Sequence, residues 1–142
     1  MDLLIQVNNV HAEGRPDIFI KDSTKYTESE LTGILEDPGS PVFVSEDEDG
    51  RVVAYCFCKV QDYAGHTNLR PIRTLYIDDL CVDAACRGQH IGSALYGEVR
   101  EWAKANGFHN LTLNVWACNP NAEAFYRALG LTPQRTTLEQ LL

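Results

Sequence analysis

With 142 residues, 44% hydrophobic and 23% charged, the chain is long enough for one domain with its own core and too apolar for a disordered segment. Its formal net charge of −8, with 12 basic residues scattered among 20 acidic ones, excludes a nucleic-acid surface built on clustered Lys and Arg and favours a cationic partner. The longest apolar run, Val52 to Cys58, is too short to cross a membrane, and Met1-Asp2 opens no secretory signal, so no membrane partner and a cytoplasmic location are expected.

Taken in chain order, "DLLIQVNNVHAEG" places Leu3, Leu4, Val7 and Val10 at helical spacing and predicts a helix ending near Gly14. A second short helix is signalled by the capping-box pattern Thr27-Glu28-Ser29-Glu30, with Leu31, Ile34 and Leu35 expected to be buried and Pro38-Gly39 to end it. "PVFVSEDEDGRVVAYCFCKV" reads as a hairpin turning at Asp49-Gly50, where the acidic run Glu46-Asp47-Glu48-Asp49 is a solvated turn. The polar loop "QDYAGHTNLRP" around His66 separates it from the strand "IRTLYIDDLCV". In "IGSALYGEVREWAKANG", Ile91, Leu95, Val99, Trp102 and Ala103 recur at spacings of three and four, a helix stopped by Gly107. A strand "NLTLNVW", a helix "NAEAFYRALG" capped at Asn119 or Asn121, and a last strand in "LTPQRTTLEQLL" with Pro133 near its start complete the order. The fold class is therefore α/β: residues 1–142 form a single domain with a mixed central sheet, in which strands 72–82 and 110–116 run parallel across a helical crossover.

The five cysteines, at positions 56, 58, 81, 86 and 118, form no CxxC pair and have no histidine set at ligand spacing. Cys56 and Cys58 share one face of a strand, so buried reduced thiols are expected and no metal.

The stretch "CRGQHIGSAL" joins a strand to a long helix through glycines. Such a junction leaves unpaired backbone N–H groups at the positive end of the helix dipole and suits a phosphate. It is neither a Walker loop nor GxGxxG, and a turn of this kind also serves simple chain reversal.

Three pieces together resemble the GNAT superfamily of acyl-CoA-dependent N-acetyltransferases. "CRGQHIGSAL" is similar to that family's Arg/Gln-x-x-Gly-x-Gly/Ala pyrophosphate turn, with Arg87 and Gly92 in place. "NPNAEAFYRALGL" is similar to its Asn-x-x-Ala-x-x-x-Tyr segment, matched by Asn119, Ala122 and Tyr126, with Gly130 following. The acidic strand "LYIDDLCV" lies immediately before the turn, and the three in this order cover nearly the whole chain. Two positions depart from the pattern. His90 stands where the first family glycine is expected, and the chain starts inside the first helix, whereas the family usually begins with a strand. A sheet one strand short implies an exposed edge or a compensating homodimer.

The resemblance implies acetyl-CoA as co-substrate, with its pyrophosphate on Arg87, Gly88, Gln89, His90, Ile91, Gly92 and Ser93. The pantetheine and thioester would lie along Leu80, Cys81 and Val82, and Asn119 and Tyr126 would complete the site. Tyr126 is the candidate acid for the leaving thiolate, the other reading being a core tyrosine beside Phe125. Asp78 is the candidate base, acting through water as the first acid of a similar pair does in the small-amine and polyamine members. Strand alternation puts Asp78 and Asp79 on opposite faces, and Asp78 has two other readings: binding an ammonium group or capping a loop. Cys81 beside the acetyl site raises a covalent acyl-enzyme, for which no histidine partner is evident. The expected activity is direct transfer of acetyl to a small cationic amine. The alternatives are a protein acetyltransferase acting on an N-terminus or lysine, and a non-catalytic acyl-CoA-binding module.

Overall fold

The run Val53–Cys58 is buried at every position, which a strand achieves only when both faces of its sheet are covered. The computed structural model, which describes residues 1–142, places this run in the interior of a four-stranded sheet. β1 (Val42–Glu46), β2 (Val52–Asp62), β3 (Arg73–Val82) and β4 (Asn110–Leu113) lie side by side in that order. The first three are antiparallel neighbours and β3–β4 is the parallel pair that the crossover requires. This mixed α/β architecture agrees with the sequence expectation.

One face carries α3 (Ile91–Ala105), whose Leu95, Tyr96, Val99 and Ala103 pack on Ala54, Cys56, Cys58, Leu75 and Ile77. The opposite face carries α1 (Asp2–Gly14) and α2 (Glu28–Glu36), over a smaller cluster of Leu4, Tyr55, Phe57 and Cys81. Each fully buried aliphatic side chain here contributes about 1.5–3 kcal/mol. The Asp49-Gly50 hairpin forms, with Gly50 at φ 77 and the Asp47 carboxylate accepting from the Asp49 and Arg51 N–H groups. All five cysteines are free, and the Cys56 and Cys58 sulfurs lie 3.7 Å apart within the α3-side core.

Several local expectations are corrected. The capping box of α2 forms in both directions, yet no residue of α2 is buried, and Leu35 is 62% exposed. This helix lies against the open rim of β1 and β2, where Leu31, Leu35, Val42 and Val44 line a shallow apolar groove. β4 ends at Leu113 rather than continuing to residue 116. Residues 131–142 adopt no strand. Pro133 deletes a ladder donor, and the tail is tied instead to the end of α1, where Arg15 pairs with both Asp17 and Glu139 at 2.8 and 2.7 Å. The chain order therefore closes on α4 (Pro120–Ala128).

Candidate active site

β3 and β4 part company. Their pairing runs from Thr74↔Asn110 to Ile77↔Leu113, after which β4 stops while β3 continues to Val82. Residues Asp79 to Val82 consequently pair with β2 on one side only, and Leu80, Cys81 and Val82 present an open strand edge on the other. A cavity of about 470 Å³ fills the parting, at the carboxyl ends of the parallel pair. Residues of β3 line it together with Asn114, Val115 and Trp116 after β4, Asn119 and Tyr126 of the α4 region, and Val7, Asn8 and His11 of α1.

The two carboxylates share one face, contrary to strict alternation. Phe57 pairs with Asp79 and Cys58 with Ile77, so Asp78 is the extra residue of a β-bulge. Leu75 and Ile77 before the bulge, and Leu80 and Val82 after it, pack toward α3. Asp78 instead meets Tyr26, and Asp79 meets Tyr55, both on the α1 side.

Their environments differ. The Asp78 Oδ2 accepts from Lys25 Nζ at 2.8 Å and from the Tyr26 hydroxyl, and Oδ1 faces Lys59 Nζ at 3.4 Å. Burial alone would raise the Asp78 carboxyl, but Lys25, Tyr26 and Lys59 outweigh it and hold it below the ordinary range. Asp79 accepts one bond, from the Tyr55 hydroxyl to Oδ2 at 2.7 Å. Burial raises its carboxyl, and the neighbouring charge of Asp78 adds to that, against the opposing pull of Tyr55 and Lys25.

Tyr126 is positioned by the cap of α4. Asn119 Oδ1 accepts from the Ala122 N–H at 3.1 Å, and Pro120 occupies the first turn, where its missing N–H costs nothing. The Asn119 Oδ1 is thereby committed to the helix, while its amide nitrogen is free toward the cavity it lines. The Tyr126 hydroxyl has no protein partner and is not sealed from the cavity. Burial pushes its phenol well above the ordinary value, with nearby Cys56 and Asp79 adding to the shift, so it stays protonated at neutral pH.

The turn before α3 begins with a short 3-10 segment, Ala84–Cys86, and then bends through Gly88 at φ 79 and His90 at φ 62. His90 is the cap residue of α3 without a capping side-chain bond, held in the left-handed region that glycine would enter freely. The first bonded amide of the helix start is that of Ala94, to the His90 carbonyl, which leaves the N–H groups of Ile91, Gly92 and Ser93 directed out of the helix end. Arg87, Gly88, Gln89 and His90 are exposed. The Arg87 Nε donates back to the Val82 carbonyl at 3.2 Å, tying the turn to the end of β3. Gly92 is closely packed, since a Cβ there would lie 3.2 Å from Val82 Cγ2 and 3.4 Å from Phe125 Cζ. One helix, α4, thus braces the turn through Phe125 and presents Tyr126 to the cavity.

Cys81 is no nucleophile in this setting. Its thiol donates to the Leu3 carbonyl at 3.4 Å, and burial beside Asp79 pushes it up to about 12. His66 lies outside the cavity, against Tyr63 in the β2–β3 loop.

Sequence reasoning missed His11 and Lys25, both in the cavity wall, and the tyrosines Tyr26 and Tyr55 that hold the carboxylates. For His11 a signal existed: it falls four residues after Val7 and seven after Leu4, on the apolar stripe of α1. Lys25 and Tyr26 lie in an irregular connection and carry no periodic signal.

No curated protein matches the chain. The sequence matches the acetyltransferase (GNAT) family over residues 7–131. Among solved structures, a point mutant of the BH1408 protein from Bacillus halodurans superimposes with a TM-score of 0.94 at 30% identity, covering 99% of this chain and 90% of that one. The aminoglycoside acetyltransferase meta-AAC0020 from an uncultured soil metagenomic sample, in complex with trehalose, gives 0.71 at 20% identity, over 99% and 89%. Aminoglycoside N-acetyltransferase AAC(6')-Iy in complex with CoA gives 0.66 at 15% identity, over 80% and 84%; these last two share the fold. The match over residues 7–131 and the likeness to a 30% identical structure along almost the whole chain establish that the protein belongs to the GNAT family of acetyltransferases.

Proposed function

We propose that this acetyltransferase moves the acetyl group of acetyl-CoA directly onto a primary amine of a small molecule that arrives as an ammonium cation. The observation that carries the reading is the cavity in the β3–β4 parting, where an open strand edge, a carboxylate pair and an unpartnered phenol meet. The open edge at Leu80, Cys81 and Val82 suits an extended pantetheine and offers backbone N–H to the thioester carbonyl, where negative charge develops. The N–H groups of residues 88–93 suit the pyrophosphate, with Arg87 and His90 at its margin and the Asn119 amide nearer the pantetheine.

Tyr126 is the proton donor to the departing thiolate, a role that its unpartnered hydroxyl at the cavity favours. Deprotonating an amine of pKa near 10 at neutral pH costs roughly 4 kcal/mol, at about 1.4 kcal/mol per unit. The geometry favours Asp79, directly or through water, as the acceptor of that proton, since Asp78 is already committed to Lys25, Tyr26 and Lys59. Asp78 then acts by fixing those three groups rather than as the base the sequence suggested. The state of Cys81 supports transfer without an acyl-enzyme.

The reading is tested by titrating CoA and acetyl-CoA into the protein and following CoA release with amino acids, diamines, polyamines and aminoglycosides. Binding with turnover of at least one amine supports it. No CoA release with any of them sinks it.

A further inference from the structure

We infer that the acceptor carries an acidic group beside its amine, as an amino acid does, and that Lys25 is the residue that recognises the acid. This rests on the acetyl-transfer reading and concerns the acceptor end of the same cavity.

The net charge of −8 argues for a polycation only if the negative charge sits at the cavity, and it does not. The densest acidic run is the β1–β2 turn, Glu46 to Asp49, and further acids lie on α2 at Glu28, Glu30 and Glu36. At the cavity both lysines, Lys25 and Lys59, lie on Asp78, and Asp79 has only the Tyr55 hydroxyl. Asp78 is 8% exposed, with both oxygens already engaged by those lysines and Tyr26. A second cationic group arriving beside Asp78 would meet two ammonium groups in place of a free carboxylate.

The wall of the cavity has both donors and acceptors left unused. Lys25 has three donors and spends two on Asp78, on Oδ2 at 2.8 Å and on the backbone carbonyl at 3.3 Å. It is steadied by the Tyr26 ring at 5.4 Å while its side chain is 46% exposed, so the third donor is available at the cavity. The His11 imidazole has no hydrogen-bond partner; burial lowers it, so it enters as a neutral ring with one N–H. Tyr76 accepts from Asn114 Nδ2 at 3.1 Å and keeps its own hydrogen. These are donors suited to an anion. The complementary acceptors are the second oxygen of Asp79, the Asn114 Oδ1 and the Asn8 Oδ1, whose amide nitrogen is spent on the Ile20 carbonyl. Acceptors of this kind suit an ammonium group. Phe19 and Trp116, edge to face at 5.1 Å, add an apolar part to the same wall. A carboxylate at Lys25 with an amine at Asp79 uses both kinds of group.

The experiment compares kcat/KM, by CoA release, for amino acids against the matching amino acid amides and decarboxylated amines. The wild-type protein should prefer the acid-bearing member by roughly tenfold or more, the scale of one charged hydrogen bond. Lys25→Gln should collapse that ratio, Lys25→Arg should keep most of it, and Lys25→Glu should invert it. CoA titration and circular dichroism of each variant establish that it is folded. Turnover of amines without preference for the acid, or a ratio that survives Lys25→Gln, overturns the inference and leaves acetyl transfer standing. No turnover with any amine overturns both.

Discussion

Asp78 and Asp79, consecutive in the chain, point to the same side of the sheet because a bulge places Asp78 outside the β2–β3 register. The bulge gives one strand two carboxylates at one cavity, with Lys25 and Lys59 on the first and only Tyr55 on the second. The two substitutions should therefore differ in kind. Asp79→Asn is expected to lower kcat by about 10²–10⁴-fold with CoA affinity retained. Asp78→Asn, which frees Lys25 and Tyr26, should act mainly on the acceptor KM. Steady-state kinetics with CoA titration separates them, and equal losses of kcat would remove the distinction drawn between the carboxylates.

The same pair should leave opposite marks on stability. The Asp78 carboxyl is depressed, so the unfolded chain holds that proton more tightly than the native one. Its contribution is present above the ordinary value of about 3.9 and is lost as pH falls through the lower native value. The Asp79 carboxyl is raised, so its contribution is present below about 3.9 and is lost as pH rises through the higher native value. Urea unfolding across the acid to neutral range should show Asp78→Asn less stable than wild type at neutral pH and closer to it in acid. Asp79→Asn should gain relative to wild type as pH rises toward neutral.

Tyr126→Phe removes a hydroxyl that no other protein group uses. The loss should fall on kcat, by about 10²–10⁴-fold, with CoA binding and thermal stability nearly unchanged. An active Tyr126→Phe protein would assign the thiolate's proton to another source, such as water.

His90 holds a left-handed backbone, at φ 62, without a capping bond in return. Replacing a side chain there by glycine removes about 1–2 kcal/mol of local strain and adds about 0.5–1 kcal/mol of unfolded-state entropy. His90→Gly should therefore stabilise the fold by about 0.5–1 kcal/mol. CoA titration of the same variant decides whether the imidazole contributes to the pyrophosphate site: weaker binding despite the firmer fold assigns it a part.

Much of the fold was legible in short-range pattern. The 3.6-residue stripe of α3 gave Leu95, Val99 and Ala103, all buried, and Thr27 with Glu30 forms the reciprocal capping box that the sequence announced. What was not legible depends on partners distant in sequence. A bulge at Asp78 is visible only when β3 is counted against β2, and the strand alternation that fails there is otherwise sound. Lys25 and Lys59 reach Asp78 from 53 and 19 positions away. The tail has strand-like composition in Thr136, Thr137 and Leu138, but an ion pair of Arg15 with Glu139 fixes its path instead of a ladder.

Two glycines of α3 provide a paired test of how the turn is held. At Gly92 a Cβ would fall 3.2 Å from Val82 Cγ2 and 3.4 Å from Phe125 Cζ, side chains belonging to the strand end and to the helix that carries Tyr126. The Val82 methyl would have to give by a few tenths of an ångström, a shift passed to the strand end and the first turn of α3, so Gly92→Ala should cost about 1–3 kcal/mol and weaken CoA binding by displacing the amides of that turn. At Gly97, five residues on in the same helix, a Cβ meets nothing within 4 Å. There alanine only improves helix propensity, and Gly97→Ala should stabilise by about 0.8–1 kcal/mol with CoA binding unchanged. Chemical denaturation and CoA titration of both variants give opposite signs if the close approach of α3 to Val82 and Phe125 sets the turn. Equal signs would mean that helix propensity alone governs both positions.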